Sequence, residues 1–449
     1  MAGLIENLRT GAWVTRERIR LVTIGLLAAG LLGAVALAAT SDGRNDRFGR
    51  PLGTDFSNVY AAGTYVLEGK ATAPFAPATQ YAREQAIFGK DTPFYGWHYP
   101  PFFLGLAALL ALLPYGLALL AWQGATLFLY ALSIRAILAF LPSPLWGGSR
   151  AEGARGGGPA IAATPHPAPA APTSPTRGEV KSQWLLPALA FPAVFVNLGH
   201  GHNGFLTAAL MAAALVVLDR RPWLAGVLFG CLAYKPQFGV LIPLVLIAGG
   251  YWRGFASASV TVAALALAVT LAFGAEVWTA FLASTQFTRT VVLEQGDTGW
   301  HKIQSVFSIV RMWGGGVTFA YAAQLAVTLF VAAALLWLWR SRSNFALKAA
   351  ALAIGTILAT PYSLDYDLML LAPAIAFLAV DGLQRGFWPY EKTVLALLWL
   401  APLVTRSVAQ ATLIPLAVPL MLIAFALMLR RAINETTAAQ AGGVLRHPA

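Results

Sequence analysis

Acids and imidazoles are few in this chain, so where they fall suggests where chemistry could be done. Asp55 lies in GTDFSNVYAAG at the head of the polar segment 41–100, and the aromatic run FYGWHYPPFF follows at 94–103. A carboxylate just outside a membrane helix suits a general base, provided it lies within hydrogen-bond reach of the hydroxyl it deprotonates. The same stretch also suits a plain helix start, since Thr54, Asp55 and Ser57 all offer capping oxygens ahead of VYAAGTYVL.

The remaining candidates sit in other polar connections: Tyr60, His98, Tyr99, His200, His202, Asn203, Lys235, Arg289, His301, Lys302, Asp365 and Asp367. Four of the six histidines are among them, which one shared site would explain, but loops collect polar residues in any case. The aromatics around His98 could anchor a helix in the headgroup layer or form a sugar platform, because the C–H face of a hexose packs on a ring. His200 and His202, two apart, would share a side only in extended backbone. A metal site would need a further ligand from His98 or His301, and no spacing demands one, so no metal is expected. These imidazoles and Asn203 instead suit a cap on the following helix or a hydrogen bond to a substrate phosphate. Lys235, between two apolar runs, must snorkel to water or meet an anion, a lipid phosphate being one. In 281–316, Phe281, Phe287, Trp300 and Phe307 could lay an amphipathic helix on the bilayer, with Arg289, His301, Lys302 and Arg311 toward the headgroups.

The elements that position these groups must be membrane helices. The chain of 449 residues is 58% hydrophobic and 11% charged, with a mean hydropathy of +0.65. A water-soluble globule carries about a quarter charged residues, so the expected fold is an all-α polytopic membrane bundle. Its net charge of +12 is scattered in short connections rather than gathered in a stripe, which argues against nucleic acid as a partner. Cys231 is the only cysteine, excluding disulfides and thiolate zinc clusters. Arg9, Arg16, Arg18 and Arg20 precede an apolar stretch, 21–40, long enough to cross a core of roughly 30 Å and longer than a secretory signal's apolar region. This reads as an anchor with a cytoplasmic amino terminus.

Further apolar stretches suggest 11 to 13 crossings, several short enough to be tilted or partly inserted, with an incomplete helix around Leu113 to Tyr115. Arg- and Lys-bearing connections alternate with those holding Asp55 and Asp365, Arg406 being the exception. The expected organisation is an amino-terminal membrane part, 1–141, with its outer loop 41–100, then a Pro/Gly/Ala-rich disordered linker, 142–182. Helices follow over 183–432 with an outer loop 274–316, and a cytoplasmic tail over 433–449.

Taken together, DFSNVYAAGTYVLEGKATAPF, WHYPPFF, GHGHNGFLTAAL, AGVLFGCLAYKPQFGVLIPLVLIAGG and LATPYSLDYDLMLLAPAIA resemble the membrane glycosyltransferases of family 87, which use polyprenyl-phosphate sugars. The resemblance implies a multi-pass inner (plasma) membrane enzyme with its active site outside, and an Asp of the first outer loop, matched by Asp55, as base. It implies transfer of a hexose, mannose among the possibilities, from a polyprenyl-phosphate sugar to an envelope glycan or glycolipid acceptor with inversion, and no cofactor. Where the family commonly has Gly-Gln, this sequence has Gly201-His202. The other reading is a transporter or lipid flippase, which should show paired halves with interrupted helices; no such repeat is found.

Overall fold

The computed structural model describes residues 2–140 and 184–444. The expected linker 142–182 lies outside the described residues. Among these residues the chain is all helical, with no strand and only two isolated β-bridges. Seven helices of 21–24 residues are long and apolar enough to cross a membrane, and five shorter apolar ones run 10–17 residues. Seven of the expected 11 to 13 crossings thus have the length and composition of a full span, and large apolar side chains such as Leu31, Leu120, Leu271 and Phe319 face outward as a bilayer requires.

The first part comprises α1 (Ala2–Thr10), α2 (Arg16–Ala39), α3 (Thr54–Leu67), α4 (Pro77–Phe88), α5 (Leu104–Ala111) and α6 (Tyr115–Leu138). α3 and α4 fold the segment after α2 into a cap instead of leaving it a loop. Apolar stretch 101–140 divides at Leu112–Pro114, because Pro114 cannot continue the α5 ladder, and α5 at about 12 Å is too short to span. α3 packs directly on α5: a Cβ at Gly63 would collide with the Ala107 carbonyl, so only glycine lets the two backbones approach.

Beyond the described gap come α7 (Pro192–His200), α8 (Gly204–Val217), α9 (Pro222–Cys231), α10 (Pro236–Gly239), α11 (Ile242–Ala248), α12 (Trp252–Phe273) and α13 (Glu276–Phe287). Then follow α14 (Val306–Met312), α15 (Val317–Arg340), α16 (Phe345–Leu358), α17 (Leu371–Arg385), α18 (Glu391–Thr412) and α19 (Ala417–Val444). The short helices α8 and α16 are central: most of their residues are buried against neighbouring helices. α19 runs past residue 432, so the expected tail begins as helix.

Segment 281–316 corrects one expectation. Instead of one amphipathic helix, α13 passes into a π-helical turn, Thr288–Glu294, and then a 3-10 turn, Trp300–Lys302, before α14. Gly296 and Gly299, both at positive φ, end the helix. Phe307 is fully buried, and Arg311 donates to the Glu294 and Gly315 carbonyls rather than reaching headgroups.

At the end of the bundle where α2 begins, Arg431 is 3% exposed and lies 3.0 Å from Asp381 and 2.7 Å from Glu391. Arg385 joins them, 2.7 Å from Asp381 and 2.6 Å from Glu435, so the network ties α17, α18 and α19 together. Removing one partner of a buried pair costs about 3–5 kcal/mol because the other is left bare. Arg431→Met should therefore lower the thermal transition of the detergent-purified protein markedly, with Asp381→Asn in the same chain recovering part. An unchanged transition in the single variant would contradict this role.

Candidate active site

Gly53 occupies the N-cap of α3 and supplies no side chain, so the capping reading of Thr54, Asp55 and Ser57 gives way. Ser57 donates to the Thr54 carbonyl at 2.6 Å, and Thr54 Oγ1 lies 2.7 Å from His200 Nδ1. Asp55 stands free in the first turn with its Oδ2 2.6 Å from His202 Nδ1, close in distance but out of line for a hydrogen bond. Burial pushes this carboxyl up, yet His202 beside it prevails and holds it below the usual range. The helix N-terminus favours the anion further.

His200 ends α7, and Gly201 at φ 66° turns the chain so that the two imidazoles come 5.2 Å apart. They share a side through a left-handed turn, not through extended backbone. Any side chain at Gly201 would also meet Phe56. Burial lowers the His200 pKa to about 4. Asn203 takes the N-cap position of α8 but does not cap it: Asn197 Oδ1 accepts from Gly204 N–H at 2.9 Å instead. The Asn203 amide nitrogen and oxygen, on a side chain 2% exposed, have no protein partner. Asn197 was not among the candidates, and an amide inside the apolar run FPAVFVNLG was the available signal.

His202 stacks on Tyr366 with ring centroids 3.7 Å apart. Lys235 lies 4.4 Å from the same ring centre and 2.5 Å from Asp367 Oδ1, neither charged side chain more than 3% exposed. Lys235 thus neither snorkels nor stands free for a lipid phosphate; it is the counter-ion of Asp367. Asp367 Oδ2 also accepts the Leu364 N–H at 3.0 Å. A bridge between Ile303 and Leu364, with Gln304 N–H donating to Ser363 O at 2.7 Å, brings His301 and Lys302 beside Asp365. Burial, then Arg406, lowers the Lys302 pKa. Arg406 Nη1 is 3.5 Å from Asp365 Oδ2. Arg406 was missed as a site residue, though as the exception to the charge alternation it carried a signal.

The aromatic run is interior rather than an interfacial belt. Trp97, Tyr99 and Phe103 are buried, with Trp97 edge to face on Tyr99, Phe103 stacks on Tyr234 at 5.2 Å, and Trp97 Nε1 is buried without a partner. His98 Nδ1 lies 2.9 Å from Thr288 Oγ1, and burial lowers its pKa against the pull of Asp55. Glu84, also missed, fastens this loop by accepting the N–H groups of Tyr95 at 3.1 Å and Gly96 at 3.2 Å. Two candidates do not join. Tyr60, five positions and about 140° round α3 from Asp55, donates to the Leu113 carbonyl at 3.0 Å. Arg289 is exposed and pairs with Glu294 at 3.2 Å. Among the described residues no three of His, Cys, Asp and Glu gather as a metal site.

A family model recognises the stretch that carries the imidazoles, Lys235 and Lys302 of this cluster: Glycosyltransferase family 87 matches residues 97–361, more than half of the chain, and Asp365, Asp367 and Arg406 follow it. The chain belongs to that family. No curated protein and no solved structure matches it. The protein is therefore a membrane glycosyltransferase, and the transporter or flippase reading falls away. Asp55 precedes the matched stretch, so its part rests on its geometry.

Burial raises the Glu84 pKa to about 7 against the hydrogen bonds that favour its anion. Its pKa when unfolded is about 4.3, so between about pH 5 and 7 the folded protein holds a proton there that the unfolded chain releases. Stability from this group accordingly falls as pH rises through that window and is flat above it. Glu84→Gln should lose this dependence, seen as a stability difference from the parent that changes between pH 5 and 8. A constant difference would refute it.

Proposed function

We propose that this enzyme transfers a hexose, with mannose the first to test, from a polyprenyl-phosphate donor to a hydroxyl of an envelope glycan or glycolipid, inverting the anomeric centre, with Asp55 as base. One observation carries the assignment among the three aspartates of the site. Asp367 is closed by Lys235 and Asp365 is 11% exposed opposite Arg406, whereas Asp55 keeps 26% of its side chain exposed and is held ionised. A base must be both unprotonated and reachable.

Asp55 takes the acceptor proton as the acceptor oxygen bonds to the anomeric carbon and the bond from that carbon to the lipid phosphate breaks. The departing phosphate is already anionic and needs no general acid, only cations and hydrogen-bond donors aimed at it. Lys302 and Arg406 supply these better than Lys235, which Asp367 occupies. The unpartnered Asn203 amide and Trp97 Nε1 are suited to sugar or phosphate oxygens, since buried polar groups ordinarily have partners. His202 holds the Asp55 carboxylate in place.

Asp55→Asn keeps shape but cannot accept the proton, so turnover should fall about 10²–10⁴-fold while donor binding persists. Both are measured on one folded preparation; near-normal turnover would exclude Asp55 and direct attention to Asp365. The alternating charges favour a multi-pass inner-membrane enzyme with this site outside. With Cys231 replaced, a cysteine at exposed Lys90 should label from outside intact cells and one at exposed Arg342 should not. Labelling of both from one side would reject that orientation.

A further inference from the structure

At the end of the bundle away from Asp55, a hollow of about 250 Å³ opens between α2, α6, α17 and α18. α2 is about 36 Å long, and Arg18 lies near its first turn while Asp55 follows its far end. The walls are almost wholly apolar, with Phe191 and Trp399 deep inside and Ala376 and Ala379 along one side. α2 itself is hardly buried, with Thr23 its one buried residue, so it stands off the bundle and leaves this space.

Such a hollow is larger than the roughly 150 Å³ apolar cavity that takes up benzene, and hydrocarbon from the bilayer will fill it. Its mouth makes it selective. Arg18 and Lys392 line it together with Trp13. Arg18 donates to the Trp13 carbonyl at 2.9 Å, and Trp13 Nε1 donates to Thr393 Oγ1 at 3.0 Å, which fixes the mouth against α18. Among the described residues neither Arg18 nor Lys392 has an acidic partner, and the nearby acids are engaged: Glu391 with Arg431 and Glu6 with Arg9. Glu17 lies one helical step, about 100°, round α2 from Arg18.

We propose that this hollow is a binding site for an anionic glycerophospholipid, one acyl chain lying among Phe191, Ala376 and Trp399 and the headgroup phosphate between Arg18 and Lys392. Two unneutralised cations, an amphipathic tryptophan and an apolar slot in line are what such a molecule requires. The site is separate from the transferase centre, and lipid held there adds to the side-chain contacts that join α2 to the bundle.

Native mass spectrometry of the full-length protein, exchanged against equal phosphatidylglycerol and phosphatidylcholine of the same chains, tests it. The parent should retain phosphatidylglycerol in excess. Arg18→Gln with Lys392→Gln should cut that excess roughly twenty-five-fold, from about fivefold for each cation. Ala379→Phe, which fills the slot and leaves the cations, should reduce retention of both lipids. Arg18→Lys with Lys392→Arg keeps the charges and should keep the preference, which separates loss of the site from loss of the fold. Equal retention by the parent, an unchanged preference in the Gln pair, or displacement of phosphatidylglycerol by stoichiometric polyprenyl phosphate would each overturn the proposal.

Discussion

An ammonium and a carboxylate 2.5 Å apart, both shut away from solvent, organise the centre of this enzyme. A cation at membrane depth costs about 2.5–3.5 kcal/mol on insertion scales, so Lys235 is tolerated there only because Asp367 faces it. The pair joins two breaks in helix, the 3-10 turn before Pro236 and the one that begins at Asp365. Asp367 spends its second oxygen on the Leu364 N–H, which fixes the direction of the turn and therefore of Tyr366. Tyr366 stacks on His202, and His202 touches Asp55. Three contacts thus carry the position of a buried ion pair to the carboxylate proposed as base.

Two carboxylates in the same cap have opposite environments. Asp55 begins a helix, meets an imidazole and keeps part of its surface in solvent, so its anion is favoured. Glu84 accepts three hydrogen bonds, from Tyr95, Gly96 and Gln80, yet has no cation and no exposed surface, and burial prevails. The difference suits their tasks. In the proposed mechanism the first takes a proton, whereas the second holds the Trp97–Tyr99 loop against α4.

What could be read from the residues follows from how local the signal is. Hydropathy is a property of consecutive residues, so the membrane class and most helices were legible, as was the gathering of Asp55, His98, His200, His202 and Asp365. The family motifs were legible for the same reason. The partners of Asn197 and Arg406 were not, because each acts across long sequence distance: Asn197 reaches Tyr366, and Arg406 reaches Asp365. Of the two readings of the aromatic run the belt gave way, because alternate rings at a helix entrance look alike whether they face headgroups or a neighbouring helix. Lys235 looked free for the same reason, its partner lying 132 residues away. Tyr60 failed for a simpler one: helical geometry turns it away from Asp55.

The site has a polarity that its charge balance conceals. Three aspartates and the cations Lys235, Lys302 and Arg406 are equal in number, but they are not equally placed. Asp365 and Asp367 lie inside at 11% and 2% side-chain exposure, while Arg406 is 45% exposed. An anionic phosphate approaching from the open side therefore meets Arg406 and half-buried Lys302 before it meets any interior acid, and the Coulomb term is weakest in water and strongest where water is displaced. Asp55 is the exception among the acids, partly exposed and facing His202 rather than Lys or Arg. In the proposed reaction the acceptor hydroxyl meets Asp55 while the phosphate meets Arg406 and Lys302, so the proton and the phosphate are drawn to different groups.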